Sequence, residues 1–114
     1  MSLLEKTKEL FDSPINVNQP EIELEKILNC SIELLSLDDN DFSWSSWESK
    51  DSAIKEIKEL INEMQNNKIP DRLSVSILFA PTGPIQEVSL SSGWSNAFLK
   101  LTERYDIIEK KIWK

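Results

Sequence analysis

Apolar residues in the first 70 positions recur at intervals of three and four, the spacing of one buried helix face. The pattern predicts three helices: a short one opened by Ser2 and Glu5 as a capping box, a second entered at Pro20, and a third opened by Ser45 and Glu48. The apolar stripe of the second helix comprises Leu24, Ile27, Leu28, Ser31, Leu34 and Leu35, and that of the third comprises Trp47, Ile54, Ile57, Leu60, Ile61 and Met64.

The spacing of apolar residues changes after Pro70. Apolar residues now alternate with serines, at positions Leu73, Val75, Ile77 and Phe79. This is the period of a strand with one buried face. A turn at 80–84 and a return through 85–90 complete a β-hairpin, which must pack on helices because a hairpin is marginal alone in water. A last helix is predicted from Phe98, Leu101, Tyr105, Ile108 and Ile112. We therefore expect one domain over residues 1–114, an α+β fold in the order α-α-α-β-β-α, with a third strand through residues 42–46 left open.

The composition removes most catalytic and metal chemistry. The 114 residues include no histidine and one cysteine, Cys30, which excludes His-dependent triads, histidine-ligated haem, zinc ribbons and intramolecular disulfides. A calcium loop aligned on Asp39 fails because its sixth position, where glycine is needed, is Trp44. We expect no enzyme activity, no metal and no cofactor.

Charge is distributed unevenly along the chain. The formal net charge is -7, and residues 21–48 alone contain one basic and eight acidic side chains. Such acidity disfavours nucleic acid and anionic membranes as partners, because phosphate groups would be repelled. The N-terminal residues lack a signal-peptide pattern and no apolar run approaches the ~20 residues of a membrane span. With a free thiol, these features predict a cytoplasmic protein.

One loop within this acidic stretch has the composition of a docking surface. Its residues of interest are Asp38, Asp39, Asp41, Trp44 and Glu48. Carboxylates accelerate encounter with a basic protein, and an exposed tryptophan can fill a pocket on it. We predict that these five residues bind a basic protein partner; the alternative is a solvated surface without a partner. For Trp47, which continues a helical stripe, we predict a position in the core.

A second stretch, residues 79–94, reads FAPTGPIQEVSLSSGW and contains both glycines of the chain, Gly83 and Gly93. A turn at Gly83 and a helix cap at residues 91–93 explain them simply, although the N–H groups of such a cap also suit an anion. The stretch resembles a segment of a family of small bacterial proteins of unassigned role, and residues 44–47 resemble part of the same pattern. The polar signature that this resemblance implies comprises Thr82, Gln86, Glu87, Ser91, Ser92 and Trp94.

Three hypotheses about function follow. The first is a protein-binding module, most concretely an immunity protein that occludes the cationic cleft of a toxin such as a nuclease. The second is a small-ligand binder or enzyme that uses residues 79–94. The third is a homodimeric adaptor that pairs through the exposed edges of the predicted hairpin. Ser45 and Ser92 both precede predicted helices, so the two candidate regions can converge in space.

Overall fold

The computed structural model describes residues 5–81 and 83–113, and within these ranges the chain forms helices and loops without a strand. The helices are α1 Glu5–Asp12, α2 Pro20–Leu35, α3 Lys50–Gln65, α4 Arg72–Phe79, α5 Pro84–Ser92 and α6 Ser95–Ile112. The predicted α+β fold, with its β-hairpin and optional third strand, is therefore wrong, and the fold is all-helical. Ser2 of the first predicted capping box lies outside the described residues.

Helix α2 lies at the centre of the fold and packs against α1, α3 and α6. It begins at Pro20, as predicted, because a proline in the first turn sacrifices no helical hydrogen bond. All six residues of its predicted stripe are buried, which confirms that face. Helices α4 and α5 pack on each other and on α6. One cluster of buried side chains contains residues from all six helices.

The segment predicted as the first strand is helix α4. Asp71 caps the start of this helix, and the alternation of apolar residues after it is what suggests a strand. The Asp71 carboxylate accepts hydrogen bonds from the backbone N–H of Ser74 at 3.1 Å and from its hydroxyl at 3.3 Å. The four alternating apolar residues divide into a buried pair, Val75 and Phe79, and an exposed pair, Leu73 and Ile77. Each pair is spaced by four residues, so the same letters satisfy a helix as well as a strand.

The second predicted strand is helix α5. Pro84 stands in its first turn, and Gly93 follows its last residue with φ of 86°, in the left-handed region. The backbone N–H groups of Gly93 and Trp94 both donate to the carbonyl oxygen of Ser89 at 3.0 Å, which closes the helix. The N-terminal cap predicted at 91–93 is wrong because these residues end α5, and the anion site proposed for it has no basis. Homodimerisation through hairpin edges loses its basis as well, since no described residue lies in a strand.

Helix α3 starts later than its predicted capping pattern. Its cap is Ser49 rather than Ser45, and the Ser49 hydroxyl accepts a hydrogen bond from the backbone N–H of Ser52 at 3.3 Å. Trp47 therefore precedes the helix, yet it is 6% exposed and belongs to the core, which confirms the interpretation of that tryptophan.

Two carboxylates of the acidic stretch, Glu23 and Glu33, hold parts of the fold together. Glu23 on α2 is 1% exposed and forms an ion pair with Arg104 on α6 at 3.0 Å. Arg104 also donates to the carbonyl oxygens of Ser13 at 3.1 Å and Pro14 at 3.3 Å, while Glu23 accepts the backbone N–H of Asn16 at 3.2 Å. The pair thereby joins α2 and α6 to the segment between α1 and α2.

The second of these carboxylates, Glu33, is half-buried and caps another helix. It accepts hydrogen bonds from the backbone N–H groups of Lys6 at 2.8 Å and Thr7 at 3.0 Å, and from the Thr7 hydroxyl at 3.0 Å. These bonds satisfy the first turn of α1, whose N–H groups have no partner within their own helix. Cys30 lies beside them, and burial raises the pKa of its thiol to about 11.

Candidate partner-binding site

The predicted docking residues lie in the loop of residues 36–49, which joins α2 to α3 and is fixed by side-chain hydrogen bonds. The Asn40 amide donates to the carbonyl oxygen of Leu34 at 2.8 Å, and its Oδ1 accepts the indole N–H of Trp94 at 2.7 Å. The backbone N–H of Asp41 donates to the hydroxyl of Ser92 at 2.9 Å. The two stretches singled out in the sequence therefore meet in space, where α5 ends at Ser92 and Trp94 precedes α6.

The second half of the loop is fixed by the buried indole of Trp47. Its N–H donates to the carboxylate of Glu56 on α3 at 3.2 Å. The Ser45 hydroxyl donates to the carbonyl oxygen of Phe42 at 3.0 Å and accepts the backbone N–H of Trp47 at 3.2 Å. The backbone is thus fixed on both sides of Trp44.

Trp44 itself projects from this ordered loop. It is 75% exposed, the highest value for any large apolar side chain in the described part of the chain. Asp38, Asp39 and Glu48 are exposed as well. Asp38 is 97% exposed and lies 3.4 Å from the ammonium group of Lys50, so one of these carboxylates has a basic neighbour.

Asp41 is half-buried and charged. Its pKa is lowered below the ordinary value because the side chain and the backbone N–H of Ser43 both donate to the carboxylate. Asp41 and Glu48 line the same shallow depression of about 590 Å³. We refer to Asp38, Asp39, Asp41, Trp44 and Glu48 as the acidic surface. Among the described residues no group of His, Cys, Asp or Glu is arranged to bind a metal ion.

The five described members of the polar signature of residues 79–94 do not form one site. Ser92 and Trp94 contact the loop at Asp41 and Asn40, whereas Gln86 lines a different cleft between α4, α5 and α6. Ser91 is exposed and Glu87 half-buried, and neither lines that cleft. Thr82 lies outside the described residues.

The α4–α6 cleft contains a polar network that the sequence analysis missed. The Glu109 carboxylate accepts hydrogen bonds from the hydroxyls of Ser76 at 2.8 Å and Tyr105 at 3.2 Å, and the Arg72 guanidinium lies 3.3 Å from it. The Tyr105 ring stacks on Phe79 with centroids 4.8 Å apart. The only local signal was that Tyr105 and Glu109 are four residues apart on one helix; Ser76 reaches them through tertiary packing.

Opposite pKa shifts occur within this network. Burial, assisted by the neighbouring Glu109 carboxylate, raises the pKa of Tyr105 to about 12, although the hydrogen bond from Ser76 opposes the rise. Burial alone would raise the pKa of Glu109, but hydrogen bonds from Ser76 and Tyr105 and the charge of Arg72 lower it below the ordinary value. At neutral pH the cleft therefore contains a neutral phenol and a charged carboxylate.

Comparison with protein-family models, curated proteins and solved structures finds no match to this chain. The resemblance of residues 79–94 to a bacterial family consequently stays a prediction. No helix in the described ranges is long and apolar enough to cross a membrane.

Proposed function

We propose that the acidic surface binds a basic protein, and that the chain is a cytoplasmic bacterial immunity protein that occludes the cationic cleft of a toxin domain such as a nuclease. The observation that supports this most directly is the exposure of Trp44 among carboxylates. In that position the indole has little of its apolar surface buried when the chain folds, whereas a bound partner would bury most of it.

The size of that gain follows from the exposed area. Covering the exposed 75% of Trp44 removes on the order of 150 Å² from water, which corresponds to on the order of 4 kcal/mol before the costs of association are subtracted. Tryptophans in such positions are frequent hot spots of protein interfaces. Truncation of Trp44 should therefore weaken binding by roughly 2–4 kcal/mol.

The ordered loop supports the same proposal. Asn40 and Trp47 fix the backbone on either side of Trp44 through hydrogen bonds and burial. A partner that docks here pays little to order the loop, and pre-organisation of this kind increases affinity.

The exposed carboxylates supply the electrostatic contribution to partner binding. Asp38, Asp39 and Glu48 face solvent, so they attract a basic surface from a distance, mainly by raising the association rate. Nucleases present cationic clefts to phosphate, and a compact acidic domain with an aromatic side chain at its edge complements such a cleft. The immunity hypothesis is the most concrete form of this complementarity.

The test is a parallel capture from a lysate of the native host with four baits: the unaltered chain, Trp44→Ala, the triple variant Asp38→Asn/Asp39→Asn/Asp41→Asn, and the control triple Glu59→Gln/Glu63→Gln/Glu103→Gln. The control removes the same charge from exposed positions outside the acidic surface. We expect a basic protein that the unaltered chain and the control retain, that high salt releases, and that the other two variants lose.

Two results would count against the proposal. If the control triple weakens capture as much as the loop triple, net charge rather than this surface attracts the partner. If Trp44→Ala binds with unchanged affinity in calorimetry of the purified pair, the acidic surface is not the interface. Immunity is then tested separately: co-expression with the captured protein should rescue growth with the unaltered chain and fail with Trp44→Ala.

The alternative, a ligand site on residues 79–94, is supported only by the α4–α6 cleft. Pro81 and Gln86 line the α4–α6 cleft, which is large enough for a small molecule.

A further inference from the structure

We infer that the outer side of α4, with Leu73 and Ile77, binds a second copy of this chain, so that two copies form a weak, reversible homodimer. We refer to Leu73 and Ile77, together with Leu99 on α6, as the apolar face. It shares no residue with the acidic surface, so the inference goes beyond the proposed function and does not depend on it. The contact is between helices and needs no strand edge.

The exposed apolar side chains of α4 lie in one row. Leu73 is 65% exposed and Ile77 is 49% exposed, and they are neighbours on the helix surface because they are four residues apart. Val75, Leu78 and Phe79 are buried on the other side of α4. The row therefore points away from the core, and the fold leaves it in contact with water.

Leu99 lies across the α4–α6 cleft from this row. It is 53% exposed and lines the cleft together with Ser76, which is three residues from Leu73 and adjacent to it on the surface of α4. The Ser76 hydroxyl donates to the carboxylate of Glu109 at 2.8 Å, which fixes α4 on α6. The apolar face is thus formed before any partner binds, and pre-organisation increases affinity.

The stretch that contains the apolar face has almost no charge. Residues 73–99 include one charged side chain, the half-buried Glu87, whereas the remaining 87 residues include 32. The stretch also contains four of the nine large apolar side chains that the described chain exposes: Leu73, Ile77, Leu90 and Leu99. Depletion of charge around exposed apolar surface is typical of a contact with another protein.

Charge also favours a second copy as the occupant. A basic partner finds no carboxylate to pair with on the row of α4, so the occupant has an uncharged apolar face of its own, and this chain has one. With a net charge of -7, two copies repel one another over much of their surfaces, and an uncharged face is where they approach at the lowest cost. Two-fold symmetry then places the same row of each copy against the other.

The exposed area places the dimer in the weak class. The exposed parts of Leu73, Ile77 and Leu99 amount to on the order of 100 Å² each, so two copies bury on the order of 600 Å² from these side chains. A standard stable interface buries roughly 1,600 Å², and totals below about 1,200 Å² belong to transient complexes. We therefore expect a dimer that forms only at high protein concentration.

Sedimentation equilibrium of the full chain from roughly 10 μM to roughly 1 mM measures this dimer. Leu73→Glu and Ile77→Glu should each raise its dissociation constant about tenfold or more, because a carboxylate would enter an apolar contact. The matched control is Ile22→Glu, which adds the same charge at an exposed isoleucine of α2 and should leave the dissociation constant unchanged. Added salt should strengthen the dimer by screening the repulsion between acidic copies, whereas it should release a basic partner from the acidic surface.

A thiol cross-link locates the contact. Cys30 is the only cysteine and is buried, so Leu73→Cys introduces the one accessible thiol. We expect a short bismaleimide to join Leu73→Cys chains into covalent dimers, and to leave Ile22→Cys chains single at the same concentration.

A chain that stays monomeric at roughly 1 mM overturns the inference and leaves the apolar face to a different protein. A dimer that Leu73→Glu leaves intact, or that Ile22→Glu weakens as much, overturns it too. Loss of the dimer in Trp44→Ala would place the contact on the acidic surface instead. A monomer would not affect the proposed function, because the test of that function is the capture of a basic protein.

Discussion

Loss of the Arg104 guanidinium should destabilise this protein more than most single substitutions. In the Arg104→Met variant, the Glu23 carboxylate stays in the core at 1% exposure with one remaining donor, the backbone N–H of Asn16. The carbonyl oxygens of Ser13 and Pro14 lose their guanidinium donor at the same time. A buried charge without its partner is the costly outcome, whatever the net contribution of the intact pair.

The expected cost is roughly 3–5 kcal/mol in the free energy of unfolding, the range for breaking a buried ion pair from one side. A domain of this size has a total free energy of unfolding of about 5–15 kcal/mol. The variant should therefore remain folded at room temperature, but with a much smaller free energy of unfolding. With a urea dependence of about 1–3 kcal/mol/M, a loss of ~4 kcal/mol lowers the unfolding midpoint by about 2 M.

Urea unfolding followed by tryptophan fluorescence measures this loss, with Arg72→Met as the matched control. Arg72 is 55% exposed and pairs with Glu109 at the surface, so its removal should cost less than about 1 kcal/mol. The double variant Glu23→Leu/Arg104→Met removes both charges and should be more stable than Arg104→Met alone. The reasoning is refuted if Arg104→Met costs no more than Arg72→Met, or if the double variant loses the sum of the two single losses.

Further predictions concern titration, backbone conformation and thiol access. Tyr105 is the only tyrosine, so absorbance at 295 nm should titrate near pH 12 in the folded chain and near the ordinary value of about 10 in urea. Because the folded pKa is the higher one, the stability linked to Tyr105 is fully present below pH ~10 and is lost as the pH rises towards 12. Gly93→Ala should cost about 1 kcal/mol in urea unfolding because φ is 86° with open space around it, whereas Gly83→Ala should cost more, since a Cβ would overlap a backbone carbonyl oxygen. Equal costs would contradict that distinction. Cys30, with a pKa of about 11, should react with a thiol reagent at pH 8 only as fast as the chain opens, and fast labelling of the native protein would show that the thiol is accessible.

The spacing of apolar residues is sufficient to predict a helix where the helix is long and buries one face. Helix α2 is sixteen residues long and its buried stripe keeps one helical period throughout, so no strand fits it. The segments that became α4 and α5 are eight and nine residues long, too short for a period of 3.6 to be told from a period of 2. Their ends carried the decisive signal: Asp71 caps α4, and Pro84 with Gly93 brackets α5 as helix start and stop. Apolar alternation predicts strands in these segments and the end signals predict helices; the structure follows the end signals, which is why the α+β prediction is wrong.

Long-range partners explain why the acidic stretch was only partly understood. Glu23 pairs with a residue 81 positions away, and Glu33 caps a helix 26 and 27 positions away. No local pattern reveals such a partner, so the sequence alone does not distinguish these two glutamates from the exposed carboxylates of the same stretch. The α4–α6 cleft escaped detection for the same reason, since Ser76 and Glu109 meet across 33 positions.

The structure separates the carboxylates of residues 21–48 by what they do for the fold. Glu23 and Glu33 satisfy buried donors and helix ends, so stability accounts for their presence. Asp38 has only an exposed ion pair with Lys50, which adds little to stability, and the exposed carboxylates Asp39 and Glu48 form no ion pair within the described residues. Exposure of Trp44 beside them leaves a large apolar side chain in water. Folding gives no reason for either feature, whereas a basic partner gives a reason for both, and this is why the acidic surface is the place to test first.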